Sequence, residues 1–179
     1  MYCQVNDSER LQKSGITSVQ YLFDKVNAVE TSEQMSGLLG EFAMLGLTFF
    51  YGTDVYPDAK ETTTNVMYLS QSGLGMGDRD YYIIESKEKE REEYKKYLMR
   101  MFEKVGVNEH INVAKSVYSF EERLAKVSLT RTERRDPHKT YNVYSLEKLE
   151  TEFPNIKWEQ FLKQCNLWDY TKIETKGAG

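Results

Sequence analysis

Residues 72–82 read SGLGMGDRDYY: Gly73, Gly75 and Gly77 alternate with other residues and run into the charged triplet Asp78-Arg79-Asp80 and a pair of tyrosines. Three readings compete for such a stretch: a phosphate-cradling loop, an Asp-x-Asp site for a divalent cation, and a structural corner. A pyrophosphate loop needs its glycines to open onto the bare N-terminus of a helix. Here the spacing is G-x-G-x-G, and the residues that follow bring carboxylates that repel phosphate. A hard cation needs more oxygen ligands than two aspartates supply, and Arg79 inserts a competing charge between them. The corner reading is left: the Asp78-Arg79-Asp80 triplet is expected to make local ion pairs and turn caps, with Arg79 and Asp80 fixing the junction of hairpin and helix through charge-assisted hydrogen bonds.

The flanks of this stretch set the fold class. Before it, LTFFYGTDVYPDAKETTTNVMYLSQ (47–71) is dense in Thr, Tyr, Phe and Val around a Pro57-Asp58 turn signal, which predicts a β-hairpin. After it, Tyr94, Tyr97, Leu98, Met101, Phe102 and Val105 form a helical stripe that Gly106 ends. The next helix, about Glu109 to Val127, carries Val113, Val117, Phe120, Leu124 and Val127, with Ile111, Ala114, Tyr118 and Ala125 widening the stripe. That stripe is expected to be mostly core, and any surplus is the place for a contact with a neighbour. Toward the N-terminus, Val19, Leu22, Phe23, Val26 and Val29 share a helical face behind a Thr17/Gln20 capping box. A second box, Thr31/Gln34, opens a helix that Gly46 stops. Past the basic link TRTERRDPHKTYN, Ser145 caps a short helix closed by Pro154, and Trp158, Phe161, Leu162 and Cys165 mark a last one. The tail TKIETKGAG has no pattern and reads as a fraying end. The whole is expected to be mainly α, a multi-helix lobe with one β-hairpin, residues 1–179 forming one lobe around one core.

Composition narrows the function classes. Of 179 residues 40% are hydrophobic, enough for a packed core, and the formal charge of −4 offers no general attraction for nucleic acid. No run reaches the roughly 20 apolar residues that a membrane span needs, and MYCQVNDSER does not have the pattern of a signal peptide. Cys3 and Cys165 stand far apart and read as ordinary thiols.

No catalytic, cofactor-binding or metal-binding residue is assigned. The histidines are His110 and His138, in different segments, and neither has a partner at zinc-ligand spacing. Glu121 and Glu122 are neighbours on a helix and point about 100° apart, so they do not share a substrate, whereas Glu122 and Lys126 form an i,i+4 pair. Arg131, Arg134 and Arg135 are interleaved with Glu133 and Asp136 and read as a mixed-charge link.

Taken together, three stretches resemble the non-catalytic N-terminal part of M13-family (neprilysin-like) zinc metalloendopeptidases, nearest to the bacterial oligopeptidases: FFYGTDVYPDAKETTTNVMYLSQSGLGMGDRDYYI, FEERLAKVSLTRTERRDPHKTYNVYSLEKL and FPNIKWEQFL. Gln71, Gly73, Leu74, Gly75, Arg79, Asp80, Tyr81 and Tyr82 match that family's Q-x-G-L-G-x-x-x-R-D-Y-Y corner, and the resemblance runs from about Asp7 onward. It implies a helical lobe that covers a catalytic lobe in the same polypeptide, with small peptides cut between them. It further implies that the zinc, its H-E-x-x-H motif and the downstream glutamate lie in the parent's catalytic domain, outside this sequence, and that the parent is periplasmic or at the cell surface. No family site residue transfers to a position here, so this chain by itself is expected to hold no cofactor and to be inactive. Two other classes stand beside this one: a stand-alone helical peptide-binding or scaffolding domain, and an enzyme of another chemistry.

Overall fold

A computed structural model describes residues 13–168 and the backbone of residues 175–177. Cys3 and the start of the family resemblance lie outside the described residues. A 3-10 turn, Thr17–Val19, leads into helix α1, Gln20–Asn27. The Thr17/Gln20 capping box does not form. The turn makes Gln20 the first residue of α1, and its side chain donates forward to Asp24 at 3.0 Å. Helix α2, Ser32–Met44, opens as its sequence predicts: Thr31 Oγ1 accepts from the Gln34 N–H at 3.2 Å, and Gln34 Oε1 accepts from the Thr31 N–H at 3.1 Å. It stops where Gly46 takes a positive φ of 74°.

Strands β1, Tyr51–Pro57, and β2, Asn65–Gln71, pair antiparallel with Tyr51 opposite Gln71. The turn signal works through Asp58, 1% exposed, whose carboxylate accepts from the Glu61 N–H at 2.9 Å and from the Tyr141 hydroxyl at 3.2 Å. The chain then runs through α3 (Asp80–Ile83), α4 (Glu88–Lys104), α5 (His110–Val127), α6 (Pro137–Thr140), β3 (Asn142–Tyr144), α7 (Leu146–Glu152), α8 (Trp158–Gln164) and β4 (Thr175–Gly177). The fold is mainly α with the expected hairpin, and the hairpin is widened into a four-stranded sheet of order β1-β2-β4-β3. β4 lies parallel to β2 and antiparallel to β3. Residues 175–177, expected to fray, are therefore sheet-paired. Backbone pairing needs no side-chain alternation, and three residues are too few to display one.

Among the described residues two clusters of buried side chains stand where one core was expected. The first joins Met67 of β2, Leu149 of α7, and Trp158, Phe161, Leu162 and Cys165 at α8. Helix α2 lies close upon α8: Ser36 Oγ accepts from the Lys157 N–H at 2.9 Å, and the Cys165 thiol donates to the Gly40 carbonyl at 3.7 Å. Burial pushes that thiol up to about 11, so it remains protonated and inert at neutral pH. The second cluster gathers Tyr82 of α3, Leu98 of α4, and Ala114, Tyr118 and Ala125 of α5.

Helix α5 is rotated relative to its expected core stripe. Its buried positions are Ala114, Tyr118, Glu121 and Ala125, whereas Phe120 is 41% and Val127 80% exposed. The buried line lies one residue, about 100°, beyond the stripe of Val113, Val117, Phe120 and Leu124.

The α2–α8 contact makes two neighbouring glycines opposite in effect. A Cβ at Gly40 would meet the Phe161 carbonyl oxygen at 2.5 Å, while one at Gly37 would find only Gln164 Cγ at 3.8 Å. Gly40→Ala is expected to lower stability by about 1–3 kcal/mol, and Gly37→Ala to raise it by about 0.5–1 kcal/mol through helix propensity. Urea denaturation of the two variants checks this; shifts of the same sign would show that the close approach is absent.

Candidate functional site

Three different constraints place the three glycines of the corner. Gly73 has φ 87°, and a Cβ there would run into the Phe49 carbonyl. Gly77 has φ 79° and closes a turn by donating to the Leu74 carbonyl at 2.9 Å. Gly75 needs no left-handed backbone; a Cβ on it would collide with the Tyr94 hydroxyl and lie 3.1 Å from Glu121 Oε1. The glycines make room for backbone against backbone and for a buried side-chain cluster.

That cluster centres on Glu121, 8% exposed. The Tyr82 hydroxyl donates to Glu121 Oε2 at 2.7 Å, the Tyr94 hydroxyl donates to Oε1 at 3.0 Å, and the Tyr82 oxygen in turn accepts from the Met76 N–H at 3.0 Å. Burial, reinforced by the neighbouring carboxylate, holds both phenols well above their ordinary range, so both stay protonated as donors. The Tyr82 ring meets Tyr94 edge-on at 6.4 Å and lies 5.9 Å from Tyr118, which seals the group on its inner side.

The turn capping and ion pairing expected of the charged triplet fall to Asp78 rather than to Arg79 and Asp80. Asp78 carries the capping and pairing: its Oδ1 accepts from the Asp80 N–H at 3.0 Å, and its Oδ2 lies 3.4 Å from Arg131 and 4.0 Å from Arg134. Asp80 contributes that N–H, and the Arg79 Nε is buried without a hydrogen-bond partner among the described residues. The basic link is thus tied to the corner through Arg131 and Arg134. It is ordered by Glu133, which accepts from the Thr130 N–H at 2.9 Å and from Lys139 at 2.6 Å. Lys139 first, then Thr130, bring the Glu133 carboxyl down to about 2. Thr130-x-x-Glu133 is a capping-box pattern, so this tie could have been read from the sequence.

Gln71, immediately before the corner, bonds both backbone groups of Leu129: its Nε2 donates to the carbonyl at 3.2 Å and its Oε1 accepts from the N–H at 2.8 Å. Nothing in the sequence pattern pointed to the role of Gln71 beyond membership of the corner, whereas the capping and ion pairing of Asp78 were expected of the charged triplet. For Glu121 a signal existed, its place on the i,i+3/i+4 line through Ala114, Tyr118 and Ala125. The Glu122–Lys126 pair forms at 3.3 Å as expected.

Over the corner lies a cleft of about 720 Å³, lined by Phe49, Phe50, Leu74, Val117, Phe120 and Glu121. Phe50 and Phe120 meet edge-on at 5.5 Å. Chemically the arrangement is a scaffold: each carboxylate oxygen of Glu121 accepts one phenol hydrogen bond, which ties the side chain to α3 and α4. Among the described residues no group of three or more His, Cys, Asp or Glu side chains is placed to hold a metal ion. His110 opens α5 and His138 sits in the first turn of α6, on separate elements. No helix among the described residues is long and apolar enough to cross a membrane.

The sequence profile of the N-terminal part of peptidase family M13 matches residues 1–176. The chain belongs to peptidase family M13. Among M13 relatives, endothelin-converting enzyme 1 of Rattus norvegicus is 30% identical over 117 residues, covering 63% of this chain and 15% of its own length. Neprilysin-11 of Caenorhabditis elegans is 27% identical over 139 residues, covering 72% and 16% respectively. Zinc metalloprotease ZMP1 of Mycobacterium tuberculosis in its open state shares the fold with a TM-score of 0.89 at 22% identity, over 96% of this chain and 27% of that one. Its complex with an inhibitor gives the same TM-score of 0.89. The M13 chain described here thus spans about one sixth of the curated relatives' length, and in the structural neighbours the corresponding region is one part of a single chain.

The spacer role of Gly75 predicts a coupling. Gly75→Ala is expected to cost about 2–3 kcal/mol, and Tyr94→Phe about 1–2 kcal/mol. The double variant is expected to lose at least about 0.5 kcal/mol less than their sum, because removing the hydroxyl vacates the space that the new Cβ needs. A double-mutant cycle by thermal or urea denaturation measures it; strict additivity would remove the proposed packing of Gly75 on Tyr94.

Proposed function

We propose that residues 1–179 are the non-catalytic covering lobe of a zinc-dependent endopeptidase that cleaves small peptides, and that the lobe bounds the substrate cavity and restricts access by size. The observation that supports this most is the match of 96% of this chain to about a quarter of a zinc metalloprotease chain, 27%, within the same family. On this reading the chain is one lobe, its partner is the catalytic remainder of the same polypeptide, and the substrate is a peptide enclosed between them.

Among the described residues the donor set does not fit a zinc site, since His110 and His138 sit on separate elements and no three metal-ligating side chains are grouped. On this reading no catalytic, cofactor or metal role falls to a residue here, and the zinc is held by the remainder. The lobe's contribution is steric: closing over a site excludes water and sets the volume available to substrate.

A steric role separates selection from rate. In the full polypeptide, lengthening the connection between this lobe and the remainder is expected to raise the upper length limit in a graded series of peptides. Turnover of the best short peptide should change much less, because the reacting groups lie elsewhere. An unchanged length limit would remove the gate and leave the lobe as a folding scaffold.

A further inference from the structure

We infer that the outer edge of strand β1 holds an extended peptide by strand addition, and that the peptide it takes carries a basic residue opposite Asp54. The inference rests on the covering-lobe reading, to which it adds a place and a chemical class for the enclosed peptide. In the sheet of order β1-β2-β4-β3, β1 pairs on one side with β2, unbroken from Tyr51 opposite Gln71 to Pro57 opposite Asn65. Residues of an antiparallel strand turn their N–H and C=O groups alternately toward the partner and away from it. Among the described residues no backbone hydrogen bond joins the outward groups of β1 to another segment, and Asp54, Val55 and Tyr56 are exposed.

Sheet edges are ordinarily blunted by brevity, a lysine, a bulge or a covering element. The opposite edge, β3, is 3 residues long. Strand β1 has 7, with no lysine and no bulge, and its edge closes at Pro57, which lacks an N–H and whose carbonyl accepts from the Tyr68 hydroxyl at 3.2 Å. Free main-chain groups select an extended occupant, because an added strand is held by main-chain bonds and chosen by its alternate side chains. Asp54 makes the choice. It has no hydrogen bond or ion pair among the described residues. A second copy added about a twofold axis, in the register that uses the whole strand, would set Asp54 against its own symmetry mate, and like charges directly opposite destabilise a pair. A lysine or arginine at that place is favoured instead. Tyr56, whose ring meets Tyr68 edge-on at 6.2 Å, shares the face of Asp54, and Val55 takes the other face, so the peptide residues opposite these two are apolar.

The test uses the full polypeptide, with a chelator present so that peptide is bound and not consumed. Binding of fluorescently labelled Thr-Val-Val-Lys-Thr-Val-Thr, and of the same peptide with Glu in place of Lys, is read by anisotropy. The Lys peptide is expected to bind about three- to fivefold more tightly, and Asp54→Lys to reverse the preference. Asp54→Asn, expected to abolish it, serves should the first variant fail to fold. N-methylation at alternate positions of the Lys peptide is expected to weaken binding about tenfold in one parity and little in the other, which contact through side chains alone would not do. A preference that neither Asp54 variant changes, equal loss in both parities, or a dimer in sedimentation that the peptide dissociates would overturn the inference. Cleavage of peptides without chelator, together with indifference to Asp54, would sink the inference and leave the peptidase reading in place. An Asp54-dependent preference in a polypeptide that cleaves no peptide would leave the edge site standing and remove that reading instead.

Discussion

A carboxylate buried without a cation beside it is costly unless hydrogen bonds replace the water it has lost. At Glu121 the replacement comes from two phenols, and such bonds to an ionised acceptor are roughly twice as strong as neutral ones. Tyr82 comes from α3, Tyr94 from α4 and Glu121 from α5, so satisfying one charge fixes three helices at a single point. The demand reaches into the preceding loop. The chain must pass close enough for the Met76 N–H to reach the Tyr82 oxygen, and only a residue without a side chain fits at position 75. The order of glycines, charges and tyrosines in residues 72–82 follows from the need to wrap one buried carboxylate.

The same corner holds the two apolar clusters together. The cluster around Trp158 and Phe161 and the cluster around Tyr82 and Tyr118 are joined here by polar ties. Gln71 grips the Leu129 backbone, Asp78 pairs with Arg131 and Arg134, and Gly73 rides over the Phe49 carbonyl. Net worth per hydrogen bond is about 1 kcal/mol, and the arginine pairs, with Arg131 69% exposed, add less. Each cluster is thus held by apolar burial and the junction by a few directional contacts.

What could be read in the sequence was whatever repeats. The helices declared themselves by periodicity, the second capping box by its spacing, and the hairpin by its residues and the Pro57-Asp58 turn. Contacts between distant segments left no such trace. Gln71 meets Leu129 across 58 positions and Ser36 meets Lys157 across 121, and neither residue type announces a partner. The Thr17/Gln20 box failed because a 3-10 turn intervened, and β4 was missed because its pairing rests on backbone groups. As for the corner, its membership in a family pattern that includes Gly75 and Tyr82 was visible, but not that Gly75 makes room for Tyr94 or that Tyr82 donates to Glu121.

The misplaced core stripe of α5 and the cleft have one cause. Turning α5 so that Phe120 faced inward would gain about 1.5–3 kcal/mol of apolar burial. It would also carry Glu121 away from Tyr82 and Tyr94, leaving two buried hydroxyls without their acceptor at about 1–3 kcal/mol each. The polar term is at least as large and acts at short range, so the helix settles with its carboxylate inward and its phenylalanine outward. Exposed aromatic surface is then a direct consequence of the buried charge. A chain in which Glu121 organises the interior leaves Phe120 at the surface, where its ring meets Phe50 edge-on.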